Sequence, residues 1–289
     1  MKSFIDDFKK LVKLRLTLTV VFSASISFLI GSQVQGDINW MNWFILTVSG
    51  FLVTGSANGF NEIIERDLDK LMSRTADRPL PSGRMTTGQA LILSLFMGLL
   101  GTIFLFRLNI LTGALSVFSI FLYAFVYTPA KQVSPIAVFL GAIPGALPPL
   151  IGYFAAFDQP IISWIPIILF GIQFVWQFPH FWAIAWVLDE DYKKAGFRLL
   201  PTTEKDKTSA FVILISTLLL IPVGLLPTFM GFGGYVVAGI SVLGALVFIW
   251  YAWQLFTKLD VASARKVMFT SFFYLPIVQL ALLFDFISK

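Results

Sequence analysis

Nine stretches of this 289-residue chain are long and apolar enough to cross a bilayer: 16–35, 40–60, 88–107, 109–127, 134–156, 161–187, 208–229, 233–255 and 267–286. About 20 apolar residues in a helix span the hydrocarbon core. Backbone amides find no water there, so only helices or closed barrels cross, and runs of this length select the helix. The chain is therefore expected to be an all-α polytopic membrane protein of nine transmembrane helices, a single domain over residues 1–289. Charged residues make up only 13%, against about 25% in soluble domains. With no cysteine and one histidine, thiolate sites, Fe–S clusters and multi-histidine zinc sites are excluded.

Ahead of the first span, Phe4, Ile5, Phe8, Leu11 and Val12 share one helical face, which predicts an interfacial helix over 1–15 lying on the membrane. Basic residues set the orientation. The N-terminal segment and the loops after spans two, four, six and eight hold all of the 21 Lys and Arg except Arg107 and Lys289. The N-terminus is therefore expected in the cytoplasm and the C-terminus outside. The net charge of +5 reads as topology, not as attraction to nucleic acid.

Acidic residues crowd to the same side, which the Lys/Arg rule does not require. Only Asp37, Asp158 and Asp285 fall elsewhere. If span two continues as helix, Asn61, Glu65 and Asp69 lie at i, i+4 and i+8 on one stripe. Like charges at that spacing repel, and a hard divalent cation removes the cost. Mg²⁺ suits such oxygen ligands, with substrate phosphates completing its shell. From spacing alone, a solvated helix end partnered by Arg66, Lys70 and Arg74 accounts for these residues equally well. Arg74 and Arg78 follow, in a loop marked by Pro79, Pro81 and Gly83. Guanidinium forks match phosphate oxygens, so carboxylates and arginines together describe a metal–diphosphate site.

A second cluster, Asp189, Glu190, Asp191, Lys193 and Lys194, reads more readily as a wet loop. Span six carries Gln173, Gln177 and His180 on one face, and an unbroken helix would add Asp191 to it, unless Pro179 shifts the phase. Intramembrane polarity marks functional candidates. For His180, interhelical hydrogen bonding competes with a role toward haem iron or a proton. Span five holds Pro144, Pro148 and Pro149, which predicts a broken helix lining a central cavity. Tyr127 and Lys131 stand just before it, as an interface anchor or as part of the mouth.

At these residues the chain resembles the UbiA-type intramembrane prenyltransferases, and within them the haem O synthase branch. The resemblance rests on Asn61-x-x-x-Glu65-x-x-x-Asp69, Met72-x-Arg74-Thr75-x-x-Arg78-Pro79-Leu80, Tyr127-Thr128-Pro129-x-Lys131, Gly141-Ala142-x-x-Gly145-Ala146-x-Pro148-Pro149, Trp176-Gln177-x-Pro179-His180-Phe181-Trp182 and Asp191-Tyr192-x-x-Ala195-Gly196. It covers 58–201; the later spans fit by pattern only. Two positions depart from the family pattern. Neither Asp189 nor Asp191 is followed four residues on by a second Asp, and Gln132 stands where a basic residue is common.

The resemblance implies nine helices around a cavity open to the cytoplasm in the cell (inner) membrane. It implies Mg²⁺-dependent transfer of a farnesyl group from farnesyl diphosphate to a vinyl group of haem B. It assigns Asn61, Glu65, Asp69 and Asp191 to the metal, and Arg74, Arg78, Lys131, Lys193 and Lys194 to the diphosphate. His180 becomes the candidate for haem contact, and Trp176, Phe178, Phe181 and Tyr127 could face an allylic cation. Membrane lipid, and haem A synthase or the terminal-oxidase assembly, are the implied partners. A quinone-precursor ring is the rival acceptor and a transporter the rival class.

Overall fold

A computed structural model describes residues 4–288; residues 1–3 and 289, including Lys2 and Lys289 counted above, lie outside it. Nine helices long and apolar enough to cross a membrane occur among the described residues, within four residues of the predicted spans except that the ninth begins six residues early, at Val261. Seven are unbroken, six of them being α2 (Leu14–Gln35), α3 (Trp40–Ile64), α5 (Thr87–Leu108), α9 (Trp164–Val187), α13 (Tyr235–Lys258) and α14 (Val261–Ile287). The fifth span is α8 (Ile136–Ala155). The fourth span joins α6 (Ile110–Phe121) through a π-helical segment, Leu122–Tyr127, to the single turn α7 (Thr128–Ala130). The seventh pairs α11 (Lys207–Leu218) with α12 (Leu220–Phe229). Pro222 lacks the N–H that would bond the Leu218 carbonyl, which fits the step between them. Short helices α1 (Phe4–Leu11), α4 (Arg66–Asp69) and α10 (Asp189–Lys194) decorate one end of the bundle.

Outward faces are apolar and exposed, as at Ile92, Phe96, Leu99 and Phe273, because lipid rather than water surrounds a bundle of this composition. Polar helix ends are closed by side chains. Asn39, Thr86, Asn109, Asp206 and Asp260 accept from the first turns that follow them. Asp285, one of the three acids apart from the charged end, is buried and accepts from Gly234 N and Val237 N at 2.8 and 2.9 Å. It caps α13 from the side.

The prediction that span five is broken is wrong. α8 runs through Pro144, Pro148 and Pro149 and is the most buried span. A proline inside a helix costs about 3 kcal/mol because it leaves a carbonyl without its partner and crowds the turn. Here a neighbour repairs part of that loss. Pro149 frees the Gly145 carbonyl, and Gln173 Nε2 on α9 donates to it at 2.7 Å. Gln177 Nε2 donates to the Ala142 carbonyl at 2.9 Å. A Cβ at Gly145 would run into Gln177, so the small residue is what admits the amide. Gln173 Oε1 in turn accepts from Ser23 and Gln279 at 2.7 and 3.0 Å. Two of the three polar residues on the span-six face are thus glue for α2, α8, α9 and α14. Gly152 lets α8 lie directly on α2, since a Cβ there would meet the Ala24 backbone.

The amphipathic N-terminal helix also packs on the bundle. Phe4 and Ile5 are exposed, but Leu11 and Val12 are fully buried, and Val12 packs on Gly55. Asp7–Arg84 at 2.8 Å and Lys10–Asp77 at 2.6 Å tie α1 to the loop after α3. The helix is docked on protein along half its length.

Replacing Gln173 by Leu should lower the stability of the detergent-solubilised protein by about 1–2 kcal/mol, since the Gly145 carbonyl loses its donor and the Ser23 hydroxyl its acceptor together. Thermal unfolding followed by circular dichroism reads this; an unchanged midpoint would show that α8 needs no such repair.

Candidate active site

α3 ends at Ile64, and Glu65 (φ −89°, ψ 4°) bends the chain before α4 begins. The hydrogen bonds nevertheless run on, Glu65 N to Asn61 O at 3.0 Å and Asp69 N to Glu65 O at 2.7 Å. Asn61, Glu65 and Asp69 therefore keep the stripe that their spacing predicted, and all three are buried.

Each member of the stripe meets a cation from a different element. Lys131, after α7, pairs with Glu65 at 2.6 Å. Arg78, in the loop after α4, pairs with Asp69 at 2.6 Å. Lys13, at the joint of α1 and α2, donates to Asn61 Oδ1 at 2.5 Å. The Lys131 ammonium also lies 4.8 Å from the Tyr127 ring centroid and 5.3 Å from that of Phe197. Removing one partner of a buried pair strands a charge and costs about 3–5 kcal/mol, so these pairs are mutually obligatory while nothing else is bound.

Orientation of Asn61 is fixed by the π segment. Thr128 has one hydroxyl proton and donates it to the Tyr123 carbonyl at 2.8 Å. It then accepts from Asn61 Nδ2 at 3.0 Å. The amide oxygen must therefore face Lys13 and the stripe. π-helical turns often mark functional sites. This one accompanies Pro129, whose ring crowds the Phe125 carbonyl in an ordinary turn.

Lys13 was read from sequence only as a topology charge. Its backbone is left-handed (φ 49°, ψ 57°), a conformation that costs a non-glycine residue about 1–2 kcal/mol. The joint is held by Asn58 Nδ2, which donates to Val12 O at 3.1 Å, and by Thr17 Oγ1, which donates to the same carbonyl at 2.6 Å. Burial, with Arg78 and Lys131 near, pulls the Lys13 ammonium well below its usual pKa. No sequence rule flags a lysine before a span as anything but an anchor; the signal is the fold of the joint.

The stripe fits a hard cation. Asp69 Oδ1 and Glu62 Oε2 are buried with no hydrogen-bond partner, and the donors are all oxygens. Glu62, whose other oxygen accepts from Leu80 N at 3.2 Å, joins the set that sequence spacing did not single out. No group of three or more His, Cys, Asp or Glu close enough to hold a metal occurs among the described residues. One or two carboxylates with an amide oxygen is the sparser set that Mg²⁺ accepts when phosphates supply the rest.

The other predicted residues do not join the stripe. α9 stops at Val187, and Leu188 breaks the helix, so Asp191 leaves the Gln173 face; Pro179 sits inside α9 without interrupting it. Asp191 accepts from Ser73 Oγ at 2.7 Å, from Arg74 N at 3.3 Å and from Lys194 at 3.0 Å. The Ser73 hydroxyl and Lys194 hold its carboxyl well below the ordinary range. It latches α10 to the loop after α4. Lys193 pairs with Asp189 and Glu204 at 3.2 and 2.7 Å. Arg74 is exposed beside them.

His180 lies between α9 and α14, stacked on Trp176 with centroids 4.4 Å apart. Ser271 Oγ donates to Met268 O at 2.5 Å, so it accepts from His180 Nδ1 at 2.7 Å. That leaves Nε2 with the lone pair. Of the aromatic candidates, Tyr127 faces Lys131, Trp176 faces His180, and Phe178 packs on Phe174 and Trp182.

The chain as a whole is similar to known proteins. A protoheme IX farnesyltransferase of Cytophaga hutchinsonii is 47% identical over 287 residues, covering 99% of this chain and 99% of its own. One from Christiangramia forsetii is 40% identical, over 98% of this chain and 94% of its own. Among solved structures, a digeranylgeranylglyceryl phosphate synthase superposes with a TM-score of 0.81 at 21% identity, covering 99% of each chain. A UbiA homolog from Archaeoglobus fulgidus, bound to GPP and Mg²⁺, superposes with a TM-score of 0.67 at 16% identity, covering 98% of this chain and 100% of its own. The UbiA prenyltransferase family matches residues 20–275, and the chain belongs to that family.

Proposed function

We propose that this protein transfers a farnesyl group from farnesyl diphosphate to a vinyl group of haem B, giving haem O. The observation that carries this reading is the buried Asn61–Glu65–Asp69 stripe with its cations, in a chain 47% identical end to end to a protoheme IX farnesyltransferase. In the reaction the C1–O bond of farnesyl diphosphate breaks and C1 joins the terminal vinyl carbon. Water adds its hydroxyl to the neighbouring carbon, and a proton leaves with the diphosphate. A transporter would more usually place its ionisable groups at the bilayer centre. Here they gather at one end of the bundle.

Asn61, Glu65 and Asp69 would hold Mg²⁺, with Asp191 in the rim beside Ser73 as the further ligand that the family pattern implies; such an ion would supply positive charge against the charge that grows on the leaving diphosphate. Lys131 and Arg78, freed from Glu65 and Asp69, take diphosphate oxygens, and Arg74 closes the mouth; Lys193 and Lys194 lie farther out. The farnesyl chain lies among apolar side chains, where each buried CH₂ contributes about 0.8 kcal/mol. His180 Nε2, aimed by Ser271, serves haem iron or a transferred proton. The charged end faces the cytoplasm of the cell membrane, with the N-terminus on that side and the C-terminus outside. The product passes to a haem-consuming partner, haem A synthase or an assembling terminal oxidase.

Membranes given haem B, farnesyl diphosphate and Mg²⁺ should form haem O by mass spectrometry, and Asp69→Asn, which keeps an oxygen for Arg78 but removes the metal-binding charge, should abolish this in protein whose helical circular dichroism is retained. Prenylation of a quinone precursor instead of haem would overturn the acceptor. Thr128→Val should raise the Mg²⁺ concentration for half-maximal rate about tenfold, the worth of one oriented hydrogen bond, with Thr128→Ser restoring it. Equal Mg²⁺ dependence in all three would remove Thr128 from metal positioning. His180→Ala should shift the absorption spectrum of bound haem; an identical spectrum and rate would leave His180 a packing residue.

A further inference from the structure

The pairing of stripe and cations is one-to-one, but its three members are not alike. Lys131 and Arg78 each neutralise a carboxylate. Lys13 is held by an uncharged amide oxygen, Asn61 Oδ1. That oxygen is the one aimed inward, because Thr128 occupies the Nδ2 side. It is therefore the oxygen a metal would use, and the ammonium already sits on it. An ammonium and a divalent cation cannot share one oxygen, since like charges a few ångströms apart repel strongly in a half-buried site. The lysine is not there by accident of a floppy terminus. Its left-handed backbone is clamped by Asn58 and Thr17 through Val12, and Val12 is fully buried. The clamp points a long, flexible side chain into the stripe while fixing where it starts. A lysine ammonium has three donors and rotates freely, so it changes partners without moving the backbone.

We propose that Lys13 is a built-in stand-in for the metal: its ammonium holds Asn61 Oδ1 until the metal takes that oxygen, and then turns onto the diphosphate. This rests on the metal–diphosphate reading of the stripe. It gives Lys13 two effects of opposite sign. Before substrate arrives the ammonium competes with the metal. Once diphosphate is present the same ammonium helps to hold it.

The test uses the purified full-length protein in nanodiscs. Mn²⁺ binding without prenyl donor is followed by electron paramagnetic resonance, and the KM for farnesyl diphosphate is measured on the same samples. Lys13→Met should bind Mn²⁺ about tenfold or more tightly, as loss of one nearby positive charge requires, and should raise the KM about tenfold. Lys13→Gln, which keeps a donor for Asn61 without the charge, should move both quantities in the same directions and serves if Lys13→Met does not fold. Lys9→Met, an exposed change on α1, should move neither. A lysine that only shapes the joint would, when replaced, weaken Mn²⁺ and diphosphate binding together, and that result overturns the proposal. So does unchanged Mn²⁺ affinity, or absence of Mn²⁺ binding in both wild type and Lys13→Met. If wild type makes haem O but these signs are not seen, only the role of Lys13 falls; if wild type makes no haem O, the functional reading itself falls.

Discussion

Charge in an apolar bundle has to be answered locally, because neither lipid nor distant water can screen it. In this protein the answer is a row of three pairs: Asn61 with Lys13, Glu65 with Lys131, and Asp69 with Arg78. Those cations come from the N-terminal joint, the end of span four and the loop after span two. The pairs therefore fix the relative placement of four chain segments at one end of the bundle. Thr128, just after the π-helical segment, bonds Asn61 of that row directly, while docking of α1 and the latch of Asp191 on Ser73 tie down the segments that carry Lys13 and Arg78.

The row also explains how one site can be both stable and reactive. A buried carboxylate without a partner is costly, and a buried cation without one is equally so. Pairing satisfies both while the site waits. A metal-bound diphosphate brings positive charge to the carboxylates and negative charge to the cations, so all the pairs can exchange together without stranding a charge. The rest of the bundle supplies rigidity. Gln173 bonds the carbonyl that Pro149 frees and Gln177 adds a bond to Ala142, so α8 carries three prolines as one continuous helix.

Much of this was legible in the residues. Runs of about 20 apolar residues specify helices whatever their partners, and all nine spans stand where hydropathy placed them, to within four residues at either end except the start of the ninth, which lies six residues earlier at Val261. Asn61, Glu65 and Asp69 could be placed on one stripe because helical spacing is local. Arg78 and Lys131 followed from charge type and the family resemblance. What the sequence hid were contacts between distant segments. Gln173 looked like site polarity, because a carbonyl freed by Pro149 leaves no mark on another span. Lys13 looked like a topology anchor, because its inward aim depends on a left-handed backbone clamped by Asn58. Asp191 appeared to extend the Gln173 face, but that phase argument fails once Leu188 ends the helix.

The most direct test of the exchange is a cryo-electron microscopy structure with Mg²⁺ and farnesyl thiodiphosphate, whose C–S bond resists ionisation. The prediction is Glu65, Asp69 and Asn61 Oδ1 on the metal side, with Lys131, Arg78 and Lys13 turned onto the diphosphate. Density in which Lys131 still pairs with Glu65 and Arg78 with Asp69, while the diphosphate binds elsewhere, would contradict it.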